Sequence, residues 1–174
     1  MRQSANLQND SHTYPTPSMT TLNKPEYQYT IHADGGCKGN PGPGGWGAVI
    51  DKTGAGRQLL NGFEGETTNN RMELCALIAA IGNIPEGATA LVVTDSQYAQ
   101  KGITEWIGGW KRKEWMNSQG QPVKNKDLWV ALDAVSQARS LRWTWVKGHS
   151  GNPGNELADS LANDAIAARK STQP

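Results

Sequence analysis

The chain has 174 residues, an apolar fraction of 36%, a charged fraction of 19% and a net charge of +1. That is the size of one domain with enough hydrophobe for one core, which excludes wholesale disorder. The balance of 17 Lys and Arg against 16 Asp and Glu excludes a polybasic protein and leaves room for a local basic patch.

Residues 1–25 are rich in Ser, Thr, Asn, Gln and Pro and show no helical or strand period. They read as a flexible extension, 26–170 as the folded domain and 171–174 as a tail. No continuous apolar stretch precedes a small-residue cleavage site, so no secretory signal is expected. The longest apolar run, Leu74 to Ile81, has eight residues, against roughly 20 for a membrane span. Cys37 and Cys75 are the only cysteines. Cys75 falls in an apolar helical pattern and reads as a buried free thiol, which fits a reducing, cytoplasmic setting.

Tyr27, Tyr29 and Ile31 alternate with polar residues and predict a first strand. A glycine-crowded turn, Asp34 to Gly45, follows. Trp46 to Ile50 and Arg57 to Gly65 predict two more strands, joined by a short loop that favours antiparallel pairing. Leu74, Leu77, Ile78 and Ile81 fall at helical spacing. Ala90 to Thr94 is a compact apolar strand. Ser96 to about Lys113 reads as helical, weakened by Gly108 and Gly109. Asn117 to Pro122 is a loop, and Asn125 is placed as the N-cap of a helix carrying Leu128, Ala131, Leu132 and Val135. Leu141 to Val146 is a fifth strand. A loop from Gly148 to Gly154 leads to a last helix with Ala158, Leu161, Ala162 and Ala165 on one face. The order is βββαβααβα, an α/β fold with a mixed sheet.

Four carboxylates stand at informative places. Asp34 closes the first strand, Glu73 lies in the first turn of the first helix, Asp95 closes the fourth strand and Asp159 lies early in the last helix. Strand carboxyl ends and helix N-termini share one rim of an α/β sheet. Carboxylates gathered there would repel unless divalent cations with oxygen ligands lay between them. Such ions suit phosphodiester chemistry. Each residue also has a purely structural reading. Glu73 is placed to close a capping box with Asn70, Asp34 to form a turn before Gly35, Asp95 to cap the helix at Ser96 and Asp159 to be a solvated charge. His149 lies in a glycine-rich loop, either as a surface group or as a mobile proton carrier.

These residues fall in five segments that resemble bacterial type I ribonuclease H. They are Asp34-Gly-Gly-Cys-Lys-Gly-Asn-Pro-Gly-Pro-Gly-Gly-Trp-Gly-Ala48, Thr67-Thr-Asn-Asn-Arg-Met-Glu-Leu74, Thr94-Asp-Ser-Gln-Tyr98, Trp145-Val-Lys-Gly-His-Ser-Gly151 and Asn155-Glu-Leu-Ala-Asp159. In order and spacing they span roughly 25–168. Gly36 departs from the pattern, where Ser is expected in many relatives. The resemblance implies the ribonuclease H-like fold, a five-stranded mixed sheet flanked by helices. It implies an endoribonuclease that hydrolyses the RNA strand of RNA–DNA hybrids to 5′-phosphate and 3′-hydroxyl ends. It also implies two Mg²⁺ ions during catalysis, with Mn²⁺ as a substitute. Asp34, Glu73, Asp95 and Asp159 match the metal-binding carboxylates, and His149 matches the loop histidine proposed for proton transfer or product release. The chain is expected to be a monomer, and a single-stranded-DNA-binding protein is a candidate partner.

The same resemblance places Asn40, Asn69, Asn70 and Gln97 among hybrid-contacting residues. Short amides suit a 2′-hydroxyl, which both donates and accepts. Asn69 or Asn70 as a helix cap and Asn40 as a turn residue remain the structural alternatives. Thr68 matches a position near a DNA-phosphate contact. From Lys101 to Lys126 there are six basic and two acidic residues, interleaved with Trp106, Trp110 and Trp115. This segment, Trp106, Trp110 and Lys111 included, resembles the family's basic protrusion and is expected to grip phosphates without reading sequence. Trp106 and Trp110, four apart, equally fit a helix core stripe. A hybrid-binding module without catalysis is disfavoured by the full set of carboxylates. A junction resolvase or integrase-type nuclease is disfavoured by the Trp-bearing basic segment and the His149 loop.

Overall fold

The computed structural model describes residues 26–171. The expected extension at 1–25 and most of the expected tail lie outside the described residues. Five strands form one sheet in the order β3-β2-β1-β4-β5: β1 Tyr29–Cys37, β2 Gly42–Lys52, β3 Gly56–Thr67, β4 Thr89–Thr94 and β5 Ser140–Trp145. β1–β2 and β2–β3 are antiparallel, while β1–β4 and β4–β5 are parallel. The sheet is therefore mixed, as the element order requires.

The helices are α1 Asn69–Gly82, α2 Gln97–Lys101, α3 Ile107–Arg112, α4 Lys126–Gln137 and α5 Pro153–Ala168. A π-helical turn, Gly102–Trp106, joins α2 to α3, so the helical stretch expected from Ser96 is continuous but irregular. Its irregularity begins at Gly102, whose missing side chain admits the Trp129 ring. Gly108 and Gly109 lie within α3 without ending it.

The first strand is longer than its pattern suggests. β1 runs three residues past Asp34, and β2 starts at Gly42 rather than Trp46. Much of the glycine-crowded segment is strand, because helices press on both its faces. A Cβ at Gly45 or Gly47 would overlap the Ala162 and Ala158 carbonyls of α5, and one at Gly44 would crowd Met72 of α1. Alternate residues meet opposite layers.

The core lies chiefly between the sheet, α1 and α4. Ile31, Met72, Leu74, Leu77, Ile81, Trp129 and Leu132 are fully buried, each contributing about 1.5–3 kcal/mol by leaving water. Arg139 closes the far end of α1 by donating to the carbonyls of Ile84 and Gly82. Both cysteines are free and half-buried, so Cys75 is less enclosed than expected. Burial still pushes its thiol up to about 11. No helix among the described residues is long and apolar enough to cross a membrane.

Candidate active site

The parallel register pairs Ala33 with Thr94. The residue after each is an aspartate, Asp34 still in β1 and Asp95 just past the end of β4, so the two stand side by side at the carboxyl end of the β1–β4 ladder. Asp34 ends the parallel pairing rather than β1 itself, and it remains paired to Gly47 of β2. Its Oδ1 accepts from the Gly35 amide at 2.8 Å.

Glu73 arrives from the other layer. The N-cap of α1 is Thr68, whose Oγ1 accepts from the Arg71 amide at 3.3 Å. Glu73 is thus the fifth residue of the helix, in its second turn rather than its first. The capping-box reading with Asn70 fails, because that position is already inside the helix. Gly35 lets Glu73 approach, since a Cβ there would overlap the Met72 carbonyl and the Glu73 amide nitrogen. Asp95 is not the cap of α2. Ser96 is, accepting from the Ala99 amide at 3.1 Å.

Asp34, Glu73 and Asp95 each bring a carboxylate oxygen into a set lying within 4.8 Å of one another. Burial, then the Asp95 and Asp159 charges, pushes the Asp34 carboxyl up to about 7. Burial, then Asp34 and Asp95, holds Glu73 well above the usual carboxylate range. Glu73 Oε2 is shut from solvent without a hydrogen-bond partner among the described residues. Three hard oxygen donors, mutual repulsion and one orphaned oxygen together suit a divalent cation.

Asp159 stands beside this set rather than within it. It borders a small cleft of about 110 Å³ with Gly36, Cys37 and Asn69, and its Oδ1 accepts from Asn163 at 3.0 Å. His149 is exposed between β5 and α5, with a left-handed φ of 53°, a conformation that His adopts more readily than most residues.

Asn40 Oδ1 accepts from the Asn69 amide at 3.1 Å, and Asn69 Oδ1 accepts from the Cys37 amide at 2.8 Å. These bonds lock the β1–β2 turn onto the start of α1. Asn70 and Gln97 are exposed at the starts of α1 and α2. Trp106 is 37% exposed, whereas Trp110 packs on the core, 5.2 Å from Trp129 between ring centroids. The stripe reading therefore holds for Trp110. Lys111 is ion-paired to Asp133 at 2.8 Å, a partner that lies one helix away and that no local pattern announces. Asn125 precedes α4 but makes no cap bond. It donates instead to the Tyr98 hydroxyl at 3.1 Å.

Sequence reasoning gave no role to Asn155, which is 3% exposed and donates to Asp95 Oδ2 at 3.1 Å. Its signals in the sequence are its place at the head of the Asn155–Asp159 segment and its position four residues before Asp159, on the same helix face.

The RNase H family model matches residues 26–167. The chain belongs to the ribonuclease H family. It is 52% identical to the Ribonuclease H of Cupriavidus metallidurans over 81% of this chain and 97% of that protein. Against the Ribonuclease H of Maricaulis maris the identity is 49%, over 83% and 97% respectively. Among solved ribonuclease H structures, LC9-RNase H1, described as a type 1 RNase H with the type 2 active-site motif, superposes with a TM-score of 0.75 at 32% identity, covering 86% of this chain and 76% of that one. LC11-RNase H1 in complex with an RNA/DNA hybrid gives 0.62 at 25%, covering 81% and 98%.

Proposed function

We propose that this ribonuclease H is an endoribonuclease that hydrolyses the RNA strand of RNA–DNA hybrids, leaving 5′-phosphate and 3′-hydroxyl ends. The observation that carries the reading is the set of three carboxylates at the carboxyl end of β1 and β4. It occurs in a family in which LC11-RNase H1 has been solved with an RNA/DNA hybrid.

On this reading Asp34, Glu73, Asp95 and Asp159 hold Mg²⁺, two ions during turnover, with Mn²⁺ as a substitute. Ions bound there supply positive charge against the scissile phosphate and the departing oxygen. The chain's own groups do the rest. Asp34 and Asp95, fixed by adjacent strands, keep the donor set rigid. His149 carries a proton on a loop open to solvent. Asn40 and Asn69 spend their side-chain oxygens on the β1–β2 turn and α1, which keeps their amide nitrogens as the donors offered to a ligand. With Asn70 and Gln97 they read the 2′-hydroxyl of the RNA strand. Thr68, at the same helix start, lies beside a DNA phosphate, and Trp106 packs on the DNA strand. The protein works as a cytoplasmic monomer, with a single-stranded-DNA-binding protein as a partner. Sedimentation alone and in a mixture with one checks mass and association.

The test is cleavage of matched RNA–DNA, RNA–RNA and DNA–DNA duplexes with and without Mg²⁺. Only the RNA strand of the hybrid is cut, and only with the metal. Asp34→Asn abolishes turnover and leaves hybrid binding in EDTA largely intact. Near-normal cleavage by that variant, or a preference for duplex DNA, sinks the reading.

A further inference from the structure

Asn155 is an uncharged side chain buried against the acidic set. It is the third residue of α5, fixed there because its backbone amide donates to the N-cap Asn152 Oδ1 at 3.0 Å. Its Nδ2 reaches Asp95 Oδ2 at 3.1 Å. Asp95 is held from two further directions. Trp145 Nε1 donates to its carbonyl at 2.8 Å, and the Gly148 backbone lies so close to Oδ2 that a side chain there would crowd it.

The amide is retained at a cost, because Asn155 Oδ1 is buried with no partner among the described residues. A group kept only for packing would not leave a buried oxygen unsatisfied. What Asn155 provides is a donor without charge. A lysine there would neutralise the negative field that draws a cation, and an aspartate could not donate while ionised. Asn155 and Asp159 are four apart on α5, so a bond from Asn155 to Asp95 also fixes the helix that carries Asp159.

We propose that Asn155 is the positioning residue for Asp95, its buried amide holding the carboxylate in one orientation beside Asp34 and Glu73 and clamping α5 to the end of β4. This rests on the reading that Asp95 helps to hold a divalent cation. Partners that orient a ligating carboxylate commonly set metal affinity by a factor of about 10–100.

The experiment titrates Mg²⁺ and Mn²⁺ calorimetrically into the full chain and into Asn155→Ala, without nucleic acid. The variant binds either ion about 10–100-fold more weakly. Its kcat falls while its KM for hybrid stays unchanged, and hybrid affinity in EDTA is preserved. A folded variant that binds the ions as the parent does overturns the proposal. A second measurement needs no variant. The Asn155 side-chain amide resonance of the parent protein moves during Mg²⁺ titration, with the midpoint given by the calorimetry. An unmoved resonance at saturation overturns the proposal while leaving the cation site standing. A parent protein that takes up neither ion removes the cation reading itself, and this proposal with it.

Discussion

The Asp34 and Glu73 carboxylates come within 4.8 Å of each other, across the seam where α1 lies on β1. Burial raises both carboxyls, and the Asp34 charge raises Glu73 further.

That pairing sets a pH dependence of stability. Asp34 has a folded value of about 7 against 3.8 for the free side chain. Because the folded value is raised, the native state binds more protons across that interval. The contribution to stability is full below about 3.8, declines as pH rises and is lost above about 7. Above that pH the Asp34 carboxyl is ionised inside the acidic set, and a divalent cation removes the penalty. The rise in Tm on adding Mg²⁺ is therefore small near pH 5 and grows through pH 7. At about 100 Kd the ion adds about 2.7 kcal/mol. Thermal melts in EDTA and in Mg²⁺ across this range check it, and an increment that ignores pH contradicts it.

Gly35 determines whether Glu73 reaches the site. A methyl group there overlaps the α1 backbone at Met72 and Glu73, so Gly35→Ala displaces the helix. The cost is about 2–3 kcal/mol of overpacking strain. A displacement of about 1 Å lowers kcat roughly 100-fold. Gly65, with open space around its Cβ position, is the control, and Gly65→Ala leaves kcat unchanged. Urea denaturation and steady-state cleavage measure both. Equal activity in the two variants would show that α1 absorbs the methyl without moving Glu73.

Local pattern puts Asp34, Glu73 and Asp95 near one rim but leaves each a structural reading; the resemblance to ribonuclease H gathers them, and the structure brings these three together. The strand limits around Asp34 were not legible in the sequence. Gly44, Gly45 and Gly47 look like turn residues, and their reason for being glycine is the pressure of α1 and α5, a tertiary fact. Thr68 took the cap that Asn69 or Asn70 could have filled, a choice between neighbours that composition does not decide. The Asn155–Asp95 bond joins residues 60 apart, and the Lys111–Asp133 pair joins two helices. Neither leaves a periodic trace.

Arg71 links the two halves of the proposed substrate surface. Its guanidinium donates to both Asp127 oxygens, at 3.0 and 2.8 Å, and to Asn125 Oδ1 at 3.4 Å. Asn125 in turn donates to the Tyr98 hydroxyl, which also accepts from Trp129 Nε1 at 3.1 Å. This chain of bonds connects the start of α1, where Asn69 and Asn70 lie, to α2 and α4. The Arg71–Asp127 pair is largely solvent-exposed, so Arg71→Ala costs only about 0.5–1 kcal/mol of stability. Its larger effect is on hybrid affinity, a rise in KM of a few-fold with kcat retained. A double-mutant cycle with Asp127→Ala isolates the pair. An unchanged KM would reduce the network to a structural role.

If the basic segment grips the hybrid as proposed, binding weakens with salt, but its lysines are not equivalent. Lys111 is committed to Asp133, whose side chain is only 15% exposed, so withdrawing it leaves a poorly solvated carboxylate. Lys113 borders an open groove of about 400 Å³ with Trp106, Trp110 and Met116, where a phosphate and a sugar can lie together. Each phosphate neutralised contributes about 0.9 to the slope of log K against log salt for duplex DNA. Lys113→Ala therefore lowers the slope by close to one phosphate contact. Lys111→Ala lowers it less and costs more stability than the about 1 kcal/mol of an exposed pair, because Asp133 is left poorly solvated. Hybrid binding in EDTA across a salt series, with melts of both variants, separates the two. A larger change in slope for Lys111→Ala would mean that Asp133 releases its partner to the nucleic acid.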